Sequence, residues 1–411
     1  NVGVNLAGQG VRLGLQISGP IILARLLAPA DYGLVAMVAV LVNFVGLFKD
    51  AGLAQATVQR AQISHLQISS LHWINLGISL ALGLLIVALA PVIVWIYGEP
   101  RLLGLSMLLA IPVMISGFGL QHRALLQRQM QFVVILRVEI LGQVLALCAG
   151  ITAAAYGGGY WSLAVMSLIS ALANNAGYRA ATGWKPSLPE KTGGIAQMLR
   201  FGANLTGFNL VNYFARNADN FLIGKFIGAA ALGQYSRAYS LMLMPISQLN
   251  SPVASALLPA LSSVSEDAEK FHALYLKWVK RIVWLTAIPI ASATIWGESG
   301  LVFLLGEEWK EAALIFSWLA AASFMQPVSS LTGLAYTAGG KPNKMLRWSF
   351  FATSIRLAGF AVAVSFFDVV AVAQSYLVTS IILFPFMIAY MNFNFKGLGS
   401  AMLKIAMLPM L

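Results

Sequence analysis

The sequence has few charged residues. Asp, Glu, Lys and Arg make up 10% of its 411 residues, whereas about 25% is usual in soluble domains. Hydrophobic residues make up 59%, which is more apolar surface than a water-soluble fold can bury. The composition excludes a soluble enzyme or binding domain and indicates a protein whose solvent is the lipid bilayer.

Cysteine and histidine are also scarce. The single cysteine, Cys148, excludes an internal disulfide framework and a thiolate metal cluster. The four histidines lie in or beside predicted loops and are expected to lie far apart; they are His65, His72, His122 and His272. The sequence also has no P-loop motif. It therefore predicts neither a metal site nor a cofactor.

Strict alternation of apolar and polar residues, the pattern of a membrane β-barrel, is missing. Apolar stretches of about 20 residues or more repeat along the chain instead, the length that an α-helix needs to cross a hydrocarbon core of about 30 Å. The breaks between them predict an all-α polytopic membrane protein with twelve spanning helices. The last residues predict the start of a thirteenth.

Basic residues dominate the charge, which is formally +12. They are scattered among helix ends and form no patch on a soluble domain, so nucleic acid is not an expected partner. They concentrate in alternate loops, among them 121–132, 182–192 and 339–344. Cytoplasmic loops carry an excess of Lys and Arg, which predicts a cytoplasmic N-terminus. On the other side, the longest predicted loop is Gly297–Glu311, a solvated interfacial turn.

Weak internal similarity divides the chain into two halves. Three pairs of residues recur about 200 positions apart: Asn5 and Asn204, Arg25 and Lys225, and Gly33 and Gly233. Six helices is an even number, so the halves enter the membrane from the same side, as parallel repeats. The predicted domains are a six-helix lobe over 1–183, a cytoplasmic linker over 184–196, a six-helix lobe over 197–394 and the start of a truncated extension over 395–411.

Several basic residues fall within predicted spanning segments, where a charge facing lipid costs at least about 2.5 kcal/mol. They are Arg12, Arg25, Lys49, Arg216, Arg237 and Arg356. Polar residues share a helix face with two of them: Asn5, Gln9 and Gln16 with Arg12 in helix one, and Asn212 with Arg216 in helix seven. We expect both helices to line a central cavity between the lobes, with Arg25, Lys49 and Arg237 adding to its charge.

Structural ion pairs are the alternative for these cations. Asp50 follows Lys49 directly, and Asp219 lies three residues after Arg216, close enough to pair on a helix. With Glu139, these acids suit either ion pairs or a proton or sodium relay. Arg356 has no such company, and it is as well explained by a structural role.

The balance of charge favours the cavity. Basic residues exceed acids in the predicted spanning segments, whereas a purely structural network would balance. Snorkelling to the outer interface also suits Arg25 and Arg237, which lie near helix ends. A cavity with surplus positive charge selects anions, and at membrane depth this indicates a lipid that carries phosphate.

Two hairpins carry a family pattern. Residues 24–33 read ARLLAPADYG, with FKDAGL at 48–53, and residues 217–224 read NADNFLIG, with LGQYSRAY at 232–239. Both resemble the Wzx-like lipid-linked oligosaccharide flippases of the multidrug/oligosaccharidyl-lipid/polysaccharide exporter superfamily, and most of all the colanic-acid-type exporters.

The resemblance implies two six-helix lobes around a central cavity that opens alternately to either side. It implies a transporter, not an enzyme, that moves oligosaccharide repeat units on polyprenyl diphosphate across a bacterial inner membrane for exopolysaccharide or lipopolysaccharide assembly. Polymerase and co-polymerase machinery are the implied partners. Two alternatives stay open: a membrane glycosyltransferase or polymerase acting on the same lipid, and a cation or drug antiporter. The short loops argue against the first and the basic charge against the second.

Overall fold

The structure is a computed structural model, and it describes residues 2–49, 54, 57–58, 60, 62–188, 213, 217–366 and 368–407. These residues form α-helices joined by short turns, with no strand among them. The all-α prediction is confirmed. The chain divides into two compact units, Asn1–Gly233 and Gln234–Leu411.

The first unit is a bundle of long helices. Its described helices are α1 (Val2–Ala24), α2 (Pro29–Gly46), α3 (His65–Tyr97), α4 (Leu102–Arg128), α5 (Phe132–Ala155) and α6 (Trp161–Thr182). Residues 217–226 are also helical. In this unit α3 packs along α4, α5 along α6, α4 along α6, and α1 along α5.

The unit boundary falls inside α7 (Ala229–Ser262). The later helices are α8 (Ala268–Leu305), α9 (Lys310–Ala322), α10 (Gln326–Ala338), α11 (Pro342–Val364), α12 (Val369–Asn394) and α13 (Leu398–Met407). Short 3₁₀ turns, Glu307–Trp309 and Ser323–Met325, flank α9. The core of this unit gathers around the buried rings of Tyr275, Tyr336 and Phe395.

Local sequence signals place the helix ends. The Ser64 hydroxyl accepts a hydrogen bond from the Gln67 backbone N–H, and the Gln67 side chain accepts one from the Ser64 N–H, which together cap α3. Asp267 caps α8 by accepting from the Lys270 N–H at 3.1 Å. α3 ends at Gly98 in the left-handed conformation, with φ of 69°, which glycine adopts without a steric penalty.

Seven helical segments within the described residues are long and apolar enough to cross a membrane. Large apolar side chains remain exposed on their outer faces, such as Trp95 at 80% and Ile288 at 75%, as lipid-facing residues do. The protein is a multi-pass membrane protein. The count of twelve spanning helices, the two-lobe repeat and the domain bounds stay predictions, whereas the helix expected after residue 395 is α13.

The predicted outer loop Gly297–Glu311 is wrong in extent and in the expected exposure of Trp309, whereas Glu307 and Glu308 are exposed as expected. α8 continues to Leu305, and the chain turns at Gly306 into Glu307–Trp309. The Gln234 side chain donates to the Glu308 carbonyl oxygen at 2.7 Å and accepts from the Ala312 N–H at 2.9 Å. Because this buried amide holds the turn against α7, Trp309 is fully buried and not solvated.

Candidate functional site

A charge cluster forms around Glu139 in the third turn of α5. Its Oε2 lies 2.9 Å from Nη1 of Arg12, and its Oε1 lies 3.3 Å from Nη2 of Arg123. The Tyr178 hydroxyl donates to the same Oε1 at 3.1 Å. We name Arg12, Arg123, Glu139 and Tyr178 the Glu139 cluster. Two guanidinium groups share one carboxylate, so the cluster keeps a surplus positive charge.

The position of the Glu139 cluster follows from the helix order. Arg123 lies near the end of α4, Glu139 near the start of α5 and Tyr178 near the end of α6, so all three lie at one end of an antiparallel bundle. Arg12 reaches them from α1, which packs along α5. This is the end that the sequence predicts to face the cytoplasm.

Exposure in the Glu139 cluster is uneven. The side chains of Arg12 and Arg123 are 39% and 43% exposed, whereas that of Glu139 is 18% exposed. The carboxylate is mostly enclosed, whereas both arginine side chains are partly exposed and carry more N–H donors than one carboxylate uses. Such donors bind phosphate oxygens in charge-assisted pairs, so the cluster has the chemistry of an anion site.

The sequence predicted only part of this cluster. The sequence indicates Arg12 as a cavity cation and Glu139 as an ion-pair or relay acid, and the structure brings the two together. It predicts a loop at Arg123 and gives no role to Tyr178. One signal was available: Glu139 is the only acid between Glu99 and Glu190 in a segment rich in arginine, and a lone intramembrane carboxylate needs cationic partners.

The other predicted site residues have varied positions. On α1, Gln9 is exposed and Gln16 is half-buried. Arg25 is exposed in the turn after α1, and Lys49 is half-buried in the turn after α2, which ends at Gly46 and so excludes Lys49 from the predicted helix. The side chain of Asn5 and the whole of Asp50, Asn212 and Arg216 lie outside the described residues.

Asp219 and Arg237 fall in different units. Asp219 is 5% exposed, and its Oδ1 accepts a hydrogen bond from the Asn220 N–H at 2.8 Å. Arg237 is half-buried on α7, in the second unit. Their roles as relay acid and substrate ligand stay predictions.

Gly33 of α2 and Gly233 of α7 bring two helix starts into backbone contact. A Cβ at Gly33 would lie 1.6 Å from the Ala229 carbonyl oxygen, and a Cβ at Gly233 would lie 1.8 Å from the Pro29 carbonyl oxygen. Only glycine permits this approach. The contacts are reciprocal, because positions 29 and 229, like 33 and 233, are 200 residues apart. A local two-fold relation between the hairpins gives such exchanged contacts.

Arg356 of α11 has an aromatic environment that the sequence did not predict. Its guanidinium carbon lies 5.2 Å from the ring centroid of Tyr376, whose hydroxyl accepts from the Gln326 side chain at 2.9 Å. The Phe360 ring stacks on the same tyrosine. Within the described part of the chain, the buried Nε of Arg356 has no hydrogen-bond partner. The arginine is therefore held by a ring and not by a carboxylate.

The expectation that the histidines lie far apart is wrong for two of them. The rings of His72 and His122 lie 5.9 Å apart, because α3 and α4 form a hairpin that places both at one end. Trp184, just after α6, packs 5.2 Å from His122. Among the described residues, no group of three or more His, Cys, Asp or Glu could hold a metal ion.

Comparison with protein families matches residues 22–314 to the family described as polysaccharide biosynthesis protein. The chain belongs to the polysaccharide biosynthesis protein family. The match begins inside α1 and extends into α9, so it includes Arg123, Glu139 and Tyr178 and both glycines of the hairpin contact.

Named relatives agree with this family. The lipopolysaccharide biosynthesis protein WzxC of Escherichia coli (strain K12) is 24% identical over 376 residues, which cover 90% of this chain and 76% of WzxC. The succinoglycan biosynthesis transport protein ExoT of Rhizobium meliloti (strain 1021) is 24% identical over 363 residues, which cover 87% of this chain and 72% of ExoT.

A solved structure shares the fold. The lipid II flippase MurJ, in an inward closed conformation, superposes with a TM-score of 0.76 at 12% identity, covering 100% of this chain and 91% of MurJ. At this identity the likeness concerns the fold alone. This polysaccharide biosynthesis protein family member therefore shares the fold of MurJ.

Proposed function

We propose that the protein is a flippase for lipid-linked oligosaccharides. It moves repeat units on polyprenyl diphosphate from the cytoplasmic to the periplasmic leaflet of a bacterial inner membrane, for exopolysaccharide or lipopolysaccharide assembly. The family, the polysaccharide-related names of WzxC and ExoT, and the fold shared with MurJ support this proposal.

The observation that carries the proposal is the surplus positive charge of the Glu139 cluster. A diphosphate is a dense anion, and the forked donors of Arg12 and Arg123 match its oxygens. The enclosed carboxylate orients both arginines and leaves their outer donors for the ligand. A cationic drug would meet repulsion here, which disfavours the antiporter alternative.

Alternating access is the mechanism that we propose. The contact at Gly33 and Gly233 supports it, because two helix starts that touch through backbone atoms can separate without repacking long side chains. Closure at this contact would seal one side of the protein while the other side is open, and separation would open it. Gly33 and Gly233 lie in the two hairpins that carry the family pattern.

We also propose that the N-terminus and the linker after α6 face the cytoplasm. A polymerase and its co-polymerase would act on the flipped substrate at the opposite side of the membrane. In a Cys148→Ala background, a Leu188→Cys side chain should resist an impermeant thiol reagent added to intact cells, and should react after the membrane is opened. Leu188 is 80% exposed, so burial would not protect it. Reaction in intact cells would contradict the orientation.

The proposed function is tested by a flipping assay with purified protein in liposomes. A fluorescent polyprenyl-diphosphate oligosaccharide is present in both leaflets, and an impermeant reductant bleaches the outer one. We expect bleaching to proceed beyond half with the protein and to stop at half without it. Arg12→Gln and Arg123→Gln should each slow flipping by about tenfold or more, because each removes charged hydrogen bonds to the diphosphate.

Arg101→Gln is the matched control for the two arginine variants. It removes the same charge from an exposed turn where Arg101 pairs with Glu99, so flipping should change less than twofold. Bleaching that stops at half with correctly folded protein would contradict the flippase. Formation of a longer saccharide on the lipid, detected by mass spectrometry, would favour the glycosyltransferase alternative.

A further inference from the structure

A basic recess lies on the exposed side of α8, in the second unit. It shares no residue with the Glu139 cluster. It has a volume of about 570 Å³, and its lining residues are Lys277, Lys280, Arg281, Trp284 and Leu285. All five side chains are exposed. Three cations are thus concentrated within less than two helical turns of a helix that crosses the membrane.

The cations of the recess lack acidic partners. Within the described residues, none of the three pairs with a carboxylate, and Arg281 instead lies 5.5 Å from the ring centroid of Trp278. Lys270, two turns earlier on the same helix, shows the contrast, because its Nζ lies 2.8 Å from Asp267. The recess therefore keeps its full positive charge and attracts an anion.

The recess lies at the depth of lipid head groups. From Ile282 to Gly297 the helix carries no charged residue, a length of about 24 Å, and Arg281 and Glu298 bound this stretch. Trp284 and Trp296 lie near its two ends with exposures of 50% and 65%, as in the aromatic belts of membrane proteins. The lysines and the arginine thus lie just beyond the hydrocarbon layer.

The apolar side of the recess continues into the bilayer. Leu285 and Ile288 are 58% and 75% exposed directly after the cations. An occupant must place negative charge among the cations and hydrocarbon along these residues. A free phosphate satisfies only the first requirement, whereas a phospholipid with a negative head group satisfies both.

We propose that this recess is a binding site for an anionic phospholipid of the phosphatidylglycerol or cardiolipin class. The phosphate lies among Lys277, Lys280 and Arg281, the Trp284 ring packs at the level of the glycerol backbone, and the acyl chains follow Leu285 and Ile288. The proposal does not depend on the flippase function, because the recess is distinct from the residues that were assigned to the transported substrate.

The test is native mass spectrometry of the purified protein with phosphatidylglycerol or phosphatidylethanolamine added at equal concentration. The wild type should retain phosphatidylglycerol in preference to phosphatidylethanolamine. The triple variant Lys277→Gln/Lys280→Gln/Arg281→Gln should weaken phosphatidylglycerol binding by on the order of 100-fold, since each cation near a membrane surface contributes roughly fivefold. Arg281→Gln alone should lower it by about fivefold.

The matched control is Lys270→Gln/Lys396→Gln/Lys404→Gln, which removes three exposed cations elsewhere in the second unit and should change binding less than twofold. The charge-keeping variant Lys277→Arg/Lys280→Arg/Arg281→Lys should bind as the wild type does. The single variant Arg281→Gln keeps the test valid if the neutral triple variant does not fold.

Three results would overturn the proposal. Equal retention of the two phospholipids by the wild type would exclude an anion-selective site. Unchanged binding by Arg281→Gln and the neutral triple variant would place the lipid elsewhere. If the neutral triple variant loses binding of undecaprenyl diphosphate and keeps binding of phosphatidylglycerol, the recess belongs to the polyprenyl lipid instead.

Discussion

The two units hold their cations in different ways. In the first unit, Arg12 and Arg123 pair with Glu139, and Arg101 pairs with Glu99. In the second unit, aromatic rings take the place of carboxylates: Arg281 lies over Trp278, Lys341 over Phe395 and Arg356 over Tyr376. An ion pair of that unit, Lys270 with Asp267, lies at an exposed helix start.

The two arrangements differ in how much of the positive charge remains uncompensated. A carboxylate cancels the charge of its partner, whereas the face of an aromatic ring attracts a cation without cancelling it. The charged groups of Arg281, Lys341 and Arg356 therefore still act on their surroundings as full positive charges. In the Glu139 cluster of the first unit, a surplus remains because two arginines share one acid. Both arrangements leave positive charge in a membrane protein whose proposed ligands are phosphates.

The largest loss of stability should follow from removing the carboxylate that two arginines share in the first unit. Glu139→Gln leaves Arg12 and Arg123 facing each other without an acid between them. Removing one partner of a fully buried pair costs about 3–5 kcal/mol, and the half-exposed arginines reduce this to about 2 kcal/mol. Thermal unfolding in detergent measures the loss.

A double variant separates charge from packing at Glu139. Adding Arg12→Gln to Glu139→Gln should recover part of the stability, because one of the two unpaired cations is gone. If Glu139→Gln unfolds at the wild-type temperature, the cluster does not stabilise the first unit.

A smaller loss of stability is expected from removing an aromatic ring that contacts a cation in the second unit. Tyr376→Leu removes the ring beneath Arg356, and we expect a loss of about 1–2 kcal/mol from the cation–π contact and the ring packing. Tyr376→Phe is the control, since it keeps the ring and loses only the hydrogen bond from Gln326, about 1 kcal/mol or less. Equal unfolding temperatures for both variants would show that the ring does not hold Arg356.

The smallest effect should come from the exposed pair of the first unit. The hydrogen bond from the Arg101 side chain lowers the pKa of Glu99 below its ordinary 4.5. A carboxyl group with a lowered pKa stabilises the fold above its ordinary pKa and loses this contribution as the pH falls through the lowered value. Glu99→Gln should therefore cost about 0.5 kcal/mol at neutral pH, and less in acid or high salt. A pH-independent difference in unfolding temperature would contradict this.

The sequence predicted the helical class and part of the site from residue types alone. Arg12 and Glu139 stood out because charges are rare in apolar helices. Arg123 and Tyr178 did not, because each lies within two turns of a helix end, where a polar residue is ordinary. The end of α8 also differs from the predicted one. Buried Gln234 holds the turn after α8, and no periodicity in residues 297–311 reveals a partner that lies more than 60 positions earlier.

Composition by itself determined that this protein lies in the bilayer, and the length of its apolar runs without strict alternation determined that it is helical. Composition also determined that positive charge is in surplus. Only the tertiary structure decided which cations share Glu139, which lie on aromatic rings and which stay open on α8. Arg12 and Glu139 are distant in the chain, as are Arg356 and Tyr376, so helix packing alone brings the members of each pair together.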